Sequence, residues 1–143
     1  SDTSPCSLTL QGKLDSRLNI IDSVDFLLQN VLPKLSFTKL SEPVALHLTC
    51  SANQLGHGDK LKQLLAACTD KVVVPEGISC CGFAGDKGFV LPELNASALS
   101  ALKQQVSACS QGVSTSRTCE IGLSRHSGIE YQHIVYLLDR CSN

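Results

Sequence analysis

The 143-residue chain contains no methionine. A natural chain begins with one, so the absence predicts a piece of something larger. No apolar run approaches the roughly 18 residues that a membrane-spanning helix needs, and the opening residues are polar, unlike a secretory signal peptide. Charge is sparse at 17% and nearly balanced at −1. That balance gives no electrostatic basis for nucleic-acid or polyanion binding. The Cys-x2–4-Cys knuckles typical of structural zinc sites are missing. No internal repeat or low-complexity tract is present.

The chain does have a hydrophobic fraction of 43%, enough for one domain with a respectable core. It also has eight cysteines. A disulfide scaffold of that density is usually smaller and richer in loops, so the count favours a reducing compartment.

Apolar spacing predicts alternating helices and strands. Residues 1–15 read as a loop-like junction with a preceding segment, and residues 16–143 as the domain. Asn19 is expected to cap a helix with Ile20, Val24, Leu27 and Val31 inward, and Pro33 to stop it. Pro43–Thr49 reads as a strand. Asp59 is expected to cap a helix burying Leu61, Leu64, Leu65 and Cys68. Val72–Val74 form a short strand ended by Pro75. Pro92 opens a helix with Leu94, Ala98, Ala101, Leu102 and Val106 inward. Gly112–Ser116 is a weaker strand. Ser127 and Glu130 fit a capping box for a last helix burying Ile134, Leu137, Leu138 and Cys141. Such alternation implies an α/β fold, a mostly parallel sheet flanked by helices.

In open sheets of this kind ligands sit beyond the carboxyl ends of the strands. Cys50, the Cys80–Cys81 pair and Cys119 each follow a predicted strand, so three segments deliver sulfur to one rim. Cys80 and Cys81 run into Gly82 within Cys-Cys-Gly-Phe-Ala-Gly-Asp-Lys-Gly. Adjacent thiols do not readily bond each other, but both can face one metal where the backbone bends. Gly82, Gly85 and Gly88 permit that bend and bring backbone N–H groups close to sulfur. The four cysteines are candidate ligands of an iron–sulfur cluster, with zinc, a structural role or disulfide chemistry as alternatives.

Cys68, Cys109 and Cys141 lie on apolar helix faces and read as core. Cys6 reads as a loop residue able to reach a second site. His47 reads as a hydrogen-bonded core residue, and His57, His126 and His133 as surface residues. Arg117 either pairs locally with Glu120 or offsets the charge of a thiolate-bound cluster.

The order Cys50, Cys80-Cys81-Gly82, Cys119 resembles the cysteine-rich CCG domain of heterodisulfide reductases and related electron-transfer subunits. The family pattern ends in Cys-x-x-Cys, whereas this chain has Cys119-Glu120-Ile121-Gly122 and keeps four cysteines where heterodisulfide reductase uses five. Longer strings cover nearly the whole chain: Ser4-Pro5-Cys6, His47-Leu48-Thr49-Cys50-Ser51, Cys80 through Asp86, Gly88-Phe89, Pro92-Glu93-Leu94-Asn95, and Ser116 through Gly122. They resemble the C-terminal end of bacterial FAD- and iron–sulfur-containing D-lactate dehydrogenases.

The resemblance implies an electron-transfer domain with a cluster, of 4Fe-4S type, held by Cys50, Cys80, Cys81 and Cys119, with Gly82, Gly85 and Arg117 around it. It implies a cytoplasmic enzyme, peripheral on the inner face of the membrane. Flavin elsewhere in the parent chain would oxidise D-lactate, and quinone or a cytochrome would accept the electrons. The flavin and ferredoxin-like domains of the parent are the implied partners, since this chain has neither a flavin-binding segment nor a Cys-x2-Cys-x2-Cys run. A zinc-bound or metal-free docking module is the alternative.

Overall fold

A computed structural model describes residues 1–15 and 17–143. Its centre is β1, Val44–Leu46, whose three side chains are wholly buried. The other strands are β2 (Val72–Val73), β3 (Gln111–Ser114) and β4 (Tyr131–His133). They form one parallel sheet in the order β2-β1-β3-β4. Parallel neighbours need crossover connections. Here α3 (Cys50–Gln54) and α4 (Gly58–Ala66) join β1 to β2. Next, α5 (Lys87–Val90), α6 (Pro92–Ala98) and α7 (Leu102–Gln105) lead to β3. Then α8 (Arg117–Ser127) leads to β4, and α9 (Ile134–Cys141) follows. The expected α/β class with a parallel sheet is therefore present.

Side-chain alternation along β1 divides the core in two. Val44 and Leu46 pack with Val24, Leu27, Leu61, Leu64, Leu65, Leu137 and Leu138 on one face. Ala45 packs on the other with Phe83, Leu99, Leu102, Leu123 and Tyr131. Cys68 and Cys141 belong to the first half, and Cys81, Cys109 and Cys119 to the second. Burial of Cys68, Cys109 and Cys141 agrees with the core role expected of them.

Several boundaries differ from expectation. Residues 4–13 are helical, forming α1 (Ser4–Lys13), and Cys6 is exposed on that helix. Ser4 and Ser7 are buried, and Ser4 Oγ donates to Thr115 Oγ1, 3.1 Å away, so the segment is tied to the sheet. The domain start at residue 16 falls on the one residue outside the described set.

Asp22, not Asn19, caps the next helix, α2 (Ser23–Phe26): its buried carboxylate accepts the Val24 N–H at 2.9 Å. The chain continues through a π-helical turn, Leu27–Val31, into a 3-10 turn, Leu32–Lys34. Pro33 lies in that last turn, which ends at Lys34 with Leu35 already extended, so the winding stops just beyond the proline as expected.

His57 occupies the N-cap position of α4, and Asp59 lies in the first turn instead. The segment after Pro92 is divided into α6 and α7, and its buried stripe is Leu99, Leu102 and Val106. Leu94, expected inward, is exposed, as is Ala101. Ser127 ends α8 instead of opening the last helix, with Gly128 in the left-handed conformation beyond it. Glu130 leads into β4, and His133 caps α9 through its imidazole, which accepts the Val135 N–H at 3.3 Å.

Candidate metal centre

The carboxyl edge of the sheet is a rim of short turns, and each expected ligand segment leaves from it. Thr49 follows β1 and caps α3, accepting the Ala52 N–H at 3.1 Å. This puts Cys50 at the first position of that helix, exposed to solvent. Buried hydroxyls join the rim behind it. Thr49 is hydrogen-bonded to Ser51 at 3.1 Å and to Thr115 at 3.3 Å, and Thr115 also receives Ser4.

The Cys80–Cys81 pair lies on the long turn after β2. Cys80 is exposed and Cys81 is buried. Gly82 bends the backbone sharply, with φ of 71°, and its N–H donates to Cys80 Sγ at 3.3 Å. A Cβ on Gly82 would lie 2.5 Å from the Leu94 carbonyl oxygen, so glycine is required both by conformation and by space. Gly85 also has positive φ, 80°, but open space around it. The side-chain amide of Asn95, itself buried, donates to the Cys81 carbonyl and holds the turn against α6.

Cys119 enters from the first turn of α8. Its sulfur lies 2.9 Å from Cys81 Sγ. That separation exceeds the roughly 2.05 Å of a disulfide, and both cysteines are free thiols. They share one hydrogen bond. The Cys119 hydrogen bond, assisted by backbone N–H groups and opposed by burial, brings the Cys81 thiol down to about 7. Cys119 is pushed up, first by that same bond, then by burial and by the charges of Cys81 and Cys50. Cys81 is thus the sulfur held toward thiolate, and Cys50 stands within electrostatic reach of the pair.

The structure therefore brings Cys81 and Cys119 into contact and leaves Cys50 and Cys80 exposed at the same rim. No group of three or more His, Cys, Asp or Glu side chains is gathered to hold a metal ion among the described residues. Sulfur chemistry nevertheless suits iron–sulfur ligation: the four expected ligands are free thiols, one of them held toward thiolate, with a glycine N–H on the sulfur of Cys80. Arg117 is 77% exposed and bonds Glu120 at 3.2 Å, so the local ion pair is what forms.

Two histidines depart from expectation. His47 is buried as anticipated, yet its Nε2 has no hydrogen-bond partner, and burial lowers its pKa to about 4. His57 is buried, not on the surface: it lies between Asp22, at 3.5 Å, and Asp25, at 3.4 Å, and Asp25 also pairs with Lys60. His126 and His133 are half-buried. Sequence reasoning gave Asn95 no role, although it stands in the Pro-Glu-Leu-Asn string.

No family model, curated protein or solved structure matches the chain.

Proposed function

We propose that this chain is the iron–sulfur electron-transfer domain of a flavin-dependent D-lactate dehydrogenase, with Cys50, Cys80, Cys81 and Cys119 as ligands. The observation that carries the reading is the Cys81–Cys119 sulfur pair at the carboxyl edge of the sheet, with two further thiols on adjoining turns. An iron–sulfur cluster bound there would supply one-electron transfer. Cys81, held toward thiolate by the Cys119 hydrogen bond, is poised to lose its proton to a metal. Gly82 and its neighbours direct backbone N–H groups at sulfur, which tunes the potential of thiolate-held iron. Asn95 fixes the turn bearing Cys81, and Phe83 beneath it helps exclude water.

In this reading flavin in the rest of the parent takes hydride from D-lactate, and electrons leave to quinone or a cytochrome at the inner face of a bacterial membrane. No helix among the described residues is long and apolar enough to cross a membrane, which agrees with a peripheral enzyme. The 143-residue chain alone is expected not to reduce a dye with D-lactate, because it offers no hydride acceptor. Turnover by the purified chain would count against the reading.

The test is iron, sulfide and zinc content of anaerobically purified protein, with EPR spectra before and after dithionite. Near-stoichiometric iron and sulfide are expected, with loss of most of both in Cys81→Ser and Cys119→Ser and retention in Cys68→Ser. Zinc, or no metal after reconstitution with iron and sulfide, would favour a docking module instead.

The 2.9 Å sulfur contact also favours a second reading, thiol–disulfide exchange. Cys81 thiolate would attack an external disulfide, releasing one thiol. Cys119 would then displace the other, leaving a Cys81–Cys119 disulfide and two external thiols. A mass decrease of two hydrogens localised to these residues, in metal-free protein treated with oxidised glutathione, separates it from the first.

A further inference from the structure

Apolar side chains crowd the outside of one short stretch. Phe89, Val90, Leu91 and Leu94 are all exposed, Val90 most of all at 75%. The packing of α5 explains this. Gly88 is its buried residue, and a Cβ there would lie 2.7 Å from the Phe83 ring. The helical turn therefore lies flat on Phe83 through Gly88, and a single turn has no second face to bury.

Phe89 is nevertheless held in place. It meets Phe83 edge to face, with ring centroids 4.8 Å apart, and the Arg125 guanidinium lies 5.6 Å from its ring centre. An exposed aromatic already fixed on two sides loses little freedom when something covers it. Together the four side chains leave on the order of 400 Å² of apolar surface, a size at which the largest patch of a monomer is often functional.

The charges around the patch select what covers it. Asp86, Lys87 and Glu93 are exposed, and none of them enters an ion pair among the described residues. A membrane surface would favour a rim of basic residues alone. Unpaired charges of opposite sign on either side of an apolar centre are instead complementary to themselves. Lys87 stands three residues before Val90, and Glu93 three after it. A two-fold axis through Val90 sets Lys87 of each copy against Glu93 of the other.

We propose that residues 86–94 form an isologous contact with a second copy of this chain, with Val90 on the two-fold axis and two Lys87–Glu93 pairs at the rim. The apolar area is about half of the roughly 800 Å² per partner in a standard interface, so the dimer is weak and forms as concentration rises. The Leu94 carbonyl packs on Gly82, so the contact lies beside the turn that bears Cys80 and Cys81. It stands whether or not the cysteines hold iron.

The experiment is sedimentation velocity of the reduced full chain at concentrations from about 5 to about 500 µM. A reversible monomer–dimer equilibrium is expected. Lys87→Glu or Glu93→Lys alone sets like charges against each other at both ends of the rim and should weaken dimerisation about 10-fold. The double variant restores opposite charges and should recover most of that loss. Val90→Ser should stay monomeric throughout. All three positions are exposed, and circular dichroism checks that each variant folds. The proposal is overturned if wild type stays monomeric at the highest concentration, or if Val90→Ser dimerises as wild type does. It is also overturned if the double variant dimerises no better than the single ones. A chain that stays monomeric yet floats with phosphatidylglycerol vesicles, and loses this in Val90→Ser, would assign the patch to a membrane instead.

Discussion

Gly82 shows how much one residue without a side chain can decide. Its φ of 71° turns the chain between Cys81 and Phe83, and its hydrogen faces the Leu94 carbonyl at a distance no Cβ tolerates. Gly85, three residues on, is equally left-handed but unobstructed. Gly85→Ala is therefore expected to cost about 1 kcal/mol, the conformational penalty alone. Gly82→Ala adds a clash with backbone and should cost roughly 3 kcal/mol or more. Urea denaturation of the two variants measures the difference, and equal losses would show that the Leu94 contact is unimportant. This residue was legible in the sequence because two thiols precede it. Asn95, which holds the same turn, was not: a side chain that bonds a backbone carbonyl leaves no periodic trace.

At the level of elements, the apolar stripes of α4 and α9 read correctly because Leu61, Leu64, Leu65 and Ile134, Leu137, Leu138 repeat with helical spacing and are buried. What escaped was short or polar. β4 is Tyr-Gln-His, and its pairing with β3 depends on a ring lying across Gly112, a tertiary contact. α8 buries Cys119, Glu120, Gly122 and Leu123, a mixture without a hydrophobic signature.

Caps were also misplaced, since His57 and Asp22 act together across two elements. His57 lies at the N-terminus of α4 and faces Asp22 and Asp25 of the α2 turn. His57→Ala would leave Asp22, which is fully buried, without the imidazole that lies 3.5 Å from its carboxylate. The expected loss is about 1–2 kcal/mol, with faster protease cleavage between residues 15 and 30. Cleavage unchanged from wild type would mean that the Asp22 cap alone secures α2.

The whole molecule carries an acid-sensitive term. His47, under β1, has its pKa lowered to about 4 by burial, from an ordinary 6.5. Between those values the unfolded chain binds a proton that the folded chain refuses, so stability falls as pH drops through the window. The full loss is on the order of 3 kcal/mol. Glu120 works the other way: burial raises its pKa, so the folded chain gains relative stability as that carboxyl protonates. Denaturant midpoints at pH 7.5 and 4.5 should therefore fall for wild type and change less for His47→Gln; parallel pH slopes would remove His47 as the cause.

The sheet class was legible because alternation of strand and helix signals survives errors at their boundaries. The meeting of Cys81 with Cys119 followed from the same rule, that loops leave a parallel sheet at its carboxyl edge. The positions of Cys50 and Cys80 relative to that pair depend on side-chain packing and could not be read from spacing.

The parallel order β2-β1-β3-β4 also sets a timetable. β1 pairs with β3, 67 residues later in register (Val44 with Gln111), and the core half that contains Val24 and Val44 is closed by Leu137, Leu138 and Cys141. A ribosome making this chain releases the first helices long before the residues that complete their packing. Until α9 emerges, Val24, Leu61 and Leu64 have no finished interior, and Cys81 waits for Cys119 as an unpaired thiol. Folding of this half is thus expected to wait for α9, and the nascent chain to depend on chaperones while its sulfurs are open to premature oxidation or metal capture.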